Sequence, residues 1–266
     1  MSTGKRPEIG ELFDTVGKEF DNYTKHFSRH FQQMSRFCSY SFDSAEIEGR
    51  KCLDAGCGTG TANLYFALKG ARQVVGMDLS AESLRVAQNE CSKRKVQNSL
   101  LSFGDLCSLP FKSESFDVVF TCGTLPYVEN TFDCLDELIR VTAKNGSIVL
   151  MALKKSRLDK LYEAIRMVLS RVPAHSRLTV AKCFAFLACL PANSFLGRRV
   201  NSNRGKPLEQ TVMEAFYSPV QLKKLEYETV RDYLKGNGFE VTSVSGIGEV
   251  DFYSAHTCFL LKAVRK

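Results

Sequence analysis

Lys51-Cys52-Leu53-Asp54-Ala55-Gly56-Cys57-Gly58-Thr59-Gly60 is the stretch whose reading decides the fold. An apolar run meets an acid, and three glycines then alternate with small residues. This order predicts a buried strand, a tight turn and the start of a helix over residues 61–69. Glycine lets the backbone take a positive φ, or approach a neighbour closely, without a Cβ clash. The helix that follows would aim its free N–H groups at whatever lies over the turn.

Such a turn admits two classes of ligand. A dinucleotide site needs G-x-G-x-x-G, and counting from Gly56 places the third glycine at position 61, where the chain has Thr61. The glycines follow G-x-G-x-G instead, and Asp54 stands two residues before the first. A carboxylate there is awkward beside a pyrophosphate but suits a cationic ligand. Leu-Asp-Ala-Gly-Cys-Gly-Thr-Gly resembles motif I of the class I S-adenosylmethionine-dependent methyltransferases. The resemblance implies that Asp54, Gly56, Gly58 and Gly60 contact S-adenosylmethionine. A glycine-rich turn without a ligand is the plainer alternative for the motif alone.

Working outward towards the C-terminus, Arg72-Gln73-Val74-Val75-Gly76-Met77-Asp78 reads as a second short strand, and Asp78 lies 18 residues beyond Gly60. An acid at this strand end of an α/β nucleotide site accepts hydrogen bonds from ribose hydroxyls. Leu79 joins it as a cofactor contact, and Ser80 is placed to cap a helix running to about Lys93, with Glu82 in its first turn. Residues 99–103 form a third strand. It leads into Gly104-Asp105-Leu106-Cys107-Ser108-Leu109-Pro110-Phe111, which resembles the family's G-D-x-x-x-L-P-F segment. There an acid receives the adenine amino group and a neighbouring N–H faces the ring. Asp105 and Leu106 would take those roles, against the simpler reading of Asp105 as a turn-forming Asx residue.

Residues 115–121 predict the fourth strand. Thr121 at its end is carried as a cofactor contact, and the following loop, 122–128, resembles the G-x-L-x-x-V loop of small-molecule methyltransferases. Leu125-Pro126-Tyr127 superficially resembles the N-P-P-Y of enzymes that methylate base amino groups. The register rejects it: four residues beyond Asp117 the chain has Thr121, not Asn. A helix over 131–142, a turn at Lys144-Asn145-Gly146 and a fifth strand over 147–152 complete five strand-plus-helix units. Such a series predicts a parallel, doubly wound α/β sheet with right-handed crossovers, whose ligands sit at the carboxyl ends of the strands. The glycine turn, Asp78, Asp105 and the loop from Thr121 to Tyr127 all fall at such ends.

On the N-terminal side, residues 8–37 read as helical. Phe13 to Tyr23 resembles the F-D-x-x-A-x-x-Y-D lead-in that folds over the cofactor, although Phe20 stands where the family often has Tyr. Tyr23 is assigned to the cofactor on that resemblance. His26 and His30 lie four apart with Phe-Ser-Arg between them. Without the Glu of H-E-x-x-H they read as one helix face rather than a metal pair, and no metal is expected.

Beyond the fifth strand the rhythm breaks. Residues 153–218 carry a basic helix with apolar positions at helical spacing, then a second apolar helix. They suit either a substrate-covering cap or a structural helix pair. Their mix of Phe, Leu and cations also suits peripheral contact with a membrane through residues 153–205. A helix ending at Gly236-Asn237-Gly238 and two strands, 239–244 and 257–264, then resemble the family's antiparallel last hairpin. The expected organisation is a lead-in over 1–40, a Rossmann-like core over 41–152, a helical cap over 153–218, and the rest of the core over 219–266. The seven-stranded sheet is mostly parallel, with an antiparallel last strand. In that fold His256, with Asp251 and Tyr253 before it, comes at the cofactor edge. His256 and Tyr127 are the candidate catalytic residues, His256 as a base or, more simply, as a residue that closes the hairpin, and Tyr127 as a pocket wall.

Composition sets the outer bounds. The chain has 266 residues, 44% hydrophobic, and carries a net charge of +7. That is enough for one α/β domain plus a small addition. No apolar run reaches the ~18 residues of a membrane span. Residues 1–10 lack the apolar core of a signal peptide, so a cytoplasmic location is expected. The ten cysteines include no C-x-x-C pair and are expected to be reduced thiols. The resemblance implies methyl transfer to a small-molecule acceptor, such as a secondary metabolite or a lipid-like or sugar-like compound. Methylation of RNA draws on the net charge but finds no appended nucleic-acid module, so no nucleic-acid partner is expected. A cofactor-binding regulator or scaffold without turnover is the third reading. The oligomeric state stays open.

Overall fold

The chain divides into two units, Met1–Lys154 with Lys223–Lys266, and Lys155–Leu222. The computed structural model describes residues 22–154, 224–243 and 258–266, all within the first unit. The cap expected over 153–218, the loop over 245–255 and His256 lie outside the described residues.

Seven strands form one sheet in the order β3-β2-β1-β4-β5-β7-β6. They are β1 Lys51–Ala55, β2 Gln73–Asp78, β3 Ser99–Phe103, β4 Phe116–Cys122, β5 Thr142–Leu153, β6 Phe239–Ser243 and β7 Cys258–Arg265. Strands β1 to β5 pair in parallel, and β7 runs antiparallel to both β5 and β6. The helices are α1 Asn22–Ser41, α2 Thr61–Leu68, α3 Ala81–Lys93, α4 Thr131–Val141 and α5 Tyr227–Gly236. Reversal of strand order between β1 and β4 opens the crevice where ligands of doubly wound sheets bind.

The sequence shows why each face is covered. Alternation along β1 sends Cys52 into one apolar layer and Leu53 into the other. The Cys52 layer packs on α1 and α2 through Phe37, Phe42, Phe66 and Phe120. The Phe66 and Phe120 rings meet edge to face with centroids 5.4 Å apart, a favoured aromatic geometry. The Leu53 layer packs on α4 and α5 through Leu135, Leu138, Val230 and Leu234. Ser80 caps α3 as expected, its Oγ accepting from Ser83 N at 3.1 Å.

One boundary differs from the sequence reading, for a local reason. The turn expected at 144–146 does not precede the fifth strand but is absorbed within it. Phe116 pairs with Thr142 and Val118 with Ser147, so the extra residues bulge out, with Asn145 at φ 59°. The helix expected to end at Gly236-Asn237-Gly238 is described from Tyr227 to Gly236. No helix among the described residues is long and apolar enough to cross a membrane.

Candidate functional site

Three loops meet at the carboxyl edge of β1, β2, β3 and β4, and backbone hydrogen bonds join them. Gly56 N and Cys57 N donate to Met77 O at 2.8 and 2.9 Å, binding the glycine turn to β2. Gly104 N donates to Asp78 O at 3.1 Å, binding the loop after β3 to the same strand end. The turn after β4 packs on the first glycine, where Thr124 Oγ1 donates to Gly56 O at 3.4 Å.

Gly56 has φ +78°, and a Cβ there would lie 2.1 Å from Thr124 Oγ1. Only glycine fits, because the loop after β4 occupies the space of a side chain. Gly58 behaves differently: at φ +50° its Cβ would meet nothing within 4 Å. Its missing side chain leaves open space above the turn.

Asp78 is half-buried and anchored by backbone. Its Oδ2 accepts from Gly58 N at 2.8 Å and its Oδ1 from Ser80 N at 2.9 Å. It therefore braces the glycine turn as well as ending β2. A carboxylate can accept about four hydrogen bonds, so this anchoring is compatible with receiving hydroxyls too. Leu79 is half-buried beside it.

Asp54 is 2% exposed, and its Oδ2 finds no hydrogen-bond partner among the described residues. Burial pushes its carboxyl up to about 7, against the pull of the Asn63 N–H and with a smaller upward push from Asp78. Asn63 is fully buried on α2, its Oδ1 receiving Ser99 Oγ at 2.5 Å. A positive charge brought near Asp54 would favour the ionised carboxylate. Thr121, next to last in β4, is fully buried, and its Oγ1 also lacks a partner among the described residues.

Asp105 makes the Asx turn that was weighed as its simpler role. Its Oδ1 accepts from Cys107 N at 2.9 Å and its carbonyl from Ser108 N at 3.1 Å. Leu106 is buried behind it. Tyr127 closes a 3-10 turn, Leu125–Tyr127, its N–H donating to Thr124 O at 2.9 Å. The structure thus brings Asp54, Gly56, Gly58, Gly60, Asp78, Leu79, Asp105, Leu106, Thr121 and Tyr127 to the ends of four neighbouring strands. Tyr23 lies on α1, with its side chain outside the description.

Several residues of this edge escaped the sequence reading. Thr124, in the loop 122–128, was given no role, although it explains Gly56. Glu137 and Arg140 on α4 clasp the loop after β3. Glu137 Oε2 accepts from Leu109 N at 2.6 Å, while the Arg140 guanidinium donates to Phe111 O at 2.7 Å and Leu109 O at 3.0 Å. No periodicity or motif signals that pairing. The reading of all cysteines as reduced thiols is corrected: Cys107 and Cys134 are joined by a disulfide. The loop after β3 lies on the first turns of α4 and brings them together, although they stand 27 residues apart in sequence. Cys38, Cys52, Cys57 and Cys91 remain buried thiols.

Comparison with known proteins agrees with this geometry. Residues 53–150 match the family model described as a methyltransferase domain. A demethylmenaquinone methyltransferase of Streptomyces avermitilis is 34% identical over 151 residues, covering 56% of this chain and 62% of that protein. A malonyl-[acyl-carrier protein] O-methyltransferase of Erwinia billingiae is 30% identical over 166 residues, covering 62% and 61%. Among solved structures, magnesium protoporphyrin IX methyltransferase from Synechocystis PCC 6803 with bound SAH superposes with a TM-score of 0.60. Its identity is 17%, over 97% of this chain and 98% of that one; at that identity the likeness shows the fold. The chain spans 51%, 48% and 62% of the length of the first three curated relatives it matches.

Proposed function

We propose that this chain, which carries a class I S-adenosylmethionine-dependent methyltransferase domain, transfers a methyl group to a small-molecule acceptor. The observation that carries the proposal is the joining of two strand-end loops at Asp78. It braces the glycine turn through Gly58 N while β2 holds the Asp105 loop through Asp78 O.

The described residues fit the cofactor. Buried Asp54, whose Oδ2 has no partner among the described residues, suits a ligand that carries positive charge. Gly58 leaves room above the turn. Asp78 suits ribose hydroxyls, and Asp105 with Leu106 suits an adenine ring. Thr121 and Leu79 line the same edge, and Tyr23 is assigned with them on the lead-in motif. When bound, S-adenosylmethionine supplies a methyl group already activated on a sulfonium. The work left to this chain is binding, orientation and exclusion of water. Positioning of that kind can lower a barrier by ~7–11 kcal/mol. A general base is required only for an acceptor that arrives protonated.

Small-molecule transfer is favoured over RNA methylation by relatives named for menaquinone and acyl-carrier substrates. As part of the proposal, the protein acts in the cytoplasm. Incubation with methyl-labelled cofactor and a metabolite extract tests the activity. Label in an organic-extractable small molecule is the expected result. Label in RNA, or cofactor binding without any transfer, would contradict it.

The site assignment makes a sharper prediction. Asp78→Ala should weaken cofactor binding by roughly 1.5–3 kcal/mol, the range for hydrogen bonds to a charged group. Asp78→Asn, which keeps the shape but loses charge and one acceptor, should fall between. Calorimetry on the folded variants decides: unchanged affinity in Asp78→Ala would remove Asp78 from the ribose site.

A further inference from the structure

We propose that Cys107 and Cys134 are a reversible redox site that sets cofactor affinity; this rests on the assignment of Asp105 and Leu106 to the cofactor. Cys107 directly follows Leu106 and is half-buried, whereas Cys134 is fully buried near the start of α4. Their bond encloses all of β4 and the 3-10 turn ending at Tyr127. One covalent link therefore fastens the loop after β3 to α4, the helix that follows the loop after β4. The Glu137 and Arg140 clasp acts on the same loop, but at Leu109 and Phe111. The disulfide ties the end that faces the cofactor, and the polar clasp ties the far end.

Three of the buried thiols are poorly suited to compete. Burial raises Cys38 and Cys57 well above the ordinary thiol range and pushes Cys52 up to about 12, which suppresses the reactive thiolate. Cys107 is the half-buried member of the pair and the point of entry for a reagent. The oxidant is a low-molecular-weight disulfide, RS–SR. The Cys107 thiolate attacks one of its sulfurs and expels one RS⁻. The Cys134 thiolate then attacks the Cys107 sulfur of the mixed disulfide and expels the second RS⁻. The two cysteines lose two electrons and two protons, and RS–SR is reduced to two RSH. An excess of RSH runs the same steps backwards.

Opening the bond leaves the glycine turn and Asp78 in place but releases Asp105 to Ser108 from α4. Cofactor binding must then reorder that loop. Fixing about one backbone residue corresponds to a ~5–30-fold loss of affinity, so the reduced protein should bind about tenfold more weakly.

The test uses the whole chain, equilibrated with oxidised or with reduced glutathione and titrated with S-adenosylhomocysteine, which cannot react. Alkylation followed by mass spectrometry scores the state of Cys107 and Cys134. The expected result is tighter binding by the oxidised form. A Cys107→Ser/Cys134→Ser variant should stay at the weaker value under both conditions. Wild-type protein alone decides if that variant does not fold. Equal affinity of the two redox forms, or a disulfide that excess thiol leaves intact, overturns the redox site and leaves the methyltransferase reading standing. Failure of both forms to bind overturns that reading and the redox site together.

Discussion

Gly56→Ala is expected to lower folding stability by roughly 2–5 kcal/mol and to abolish cofactor binding. Two costs add. A residue with a Cβ in the left-handed region is penalised by ~1–2 kcal/mol, and Gly56 sits at φ +78°. Forcing extra volume into a packed site costs ~1–3 kcal/mol, and the new Cβ would fall 2.1 Å from Thr124 Oγ1. The loop after β4 would have to move, and it carries Tyr127. Thr124→Gly in the same chain should recover the packing cost and leave the backbone cost. Gly58→Ala makes the contrast, since its Cβ meets nothing within 4 Å. It should lose only ~1–2 kcal/mol of stability yet lose affinity, because its methyl group enters the space assigned to the cofactor. Chemical denaturation combined with calorimetry separates the two effects. A Gly56→Ala protein as stable as wild type would show that the loop after β4 does not rest on the glycine turn.

On the proposal that His256 is the general base, His256→Ala is expected to lower kcat by ~10²–10⁴ with cofactor affinity intact. β7 begins at Cys258, which pairs with Leu153 at the end of β5. The carboxyl edge of the sheet is thus where the chain enters β7, two residues after His256. Histidine is the side chain whose ordinary pKa, ~6.5, lets it take a proton near neutrality. Tyr127, with an ordinary pKa of ~10, is better fitted to shape the acceptor pocket. If the acceptor can ionise unaided, raising the pH should partly restore the variant. Steady-state kinetics across pH make the measurement. A variant within about twofold of wild type would leave positioning as the whole mechanism.

What the sequence revealed follows from which forces are local. The strand, turn and helix from Lys51 to Leu68 were legible because apolar runs and glycines act within a few residues. The same holds for Ser80, whose hydroxyl caps a helix starting at the next residue. Asp78 was legible as a strand-end acid, but its grip on Gly58 N was not, since that bond joins residues 20 apart. The Cys107–Cys134 disulfide and the Arg140 clasp depend on a helix and a loop meeting in three dimensions, and neither leaves a pattern in one dimension. The turn at Lys144-Asn145-Gly146 was legible as a turn. That it bulges within β5 depends on pairing with β4, which only the assembled sheet determines. Asp54 illustrates both limits: its place before the glycines suggested a cationic ligand, while its burial and its contact with Asn63 came only from packing.

The most direct test is calorimetric titration of S-adenosylmethionine into the protein, repeated in the presence of excess NAD. Saturable binding of S-adenosylmethionine, unaffected by NAD and weakened in Asp78→Ala, is the predicted result. It follows from Asp54 beneath the glycine turn and from Thr61 in place of a third glycine. Displacement of S-adenosylmethionine by NAD, or binding of NAD alone, would contradict it.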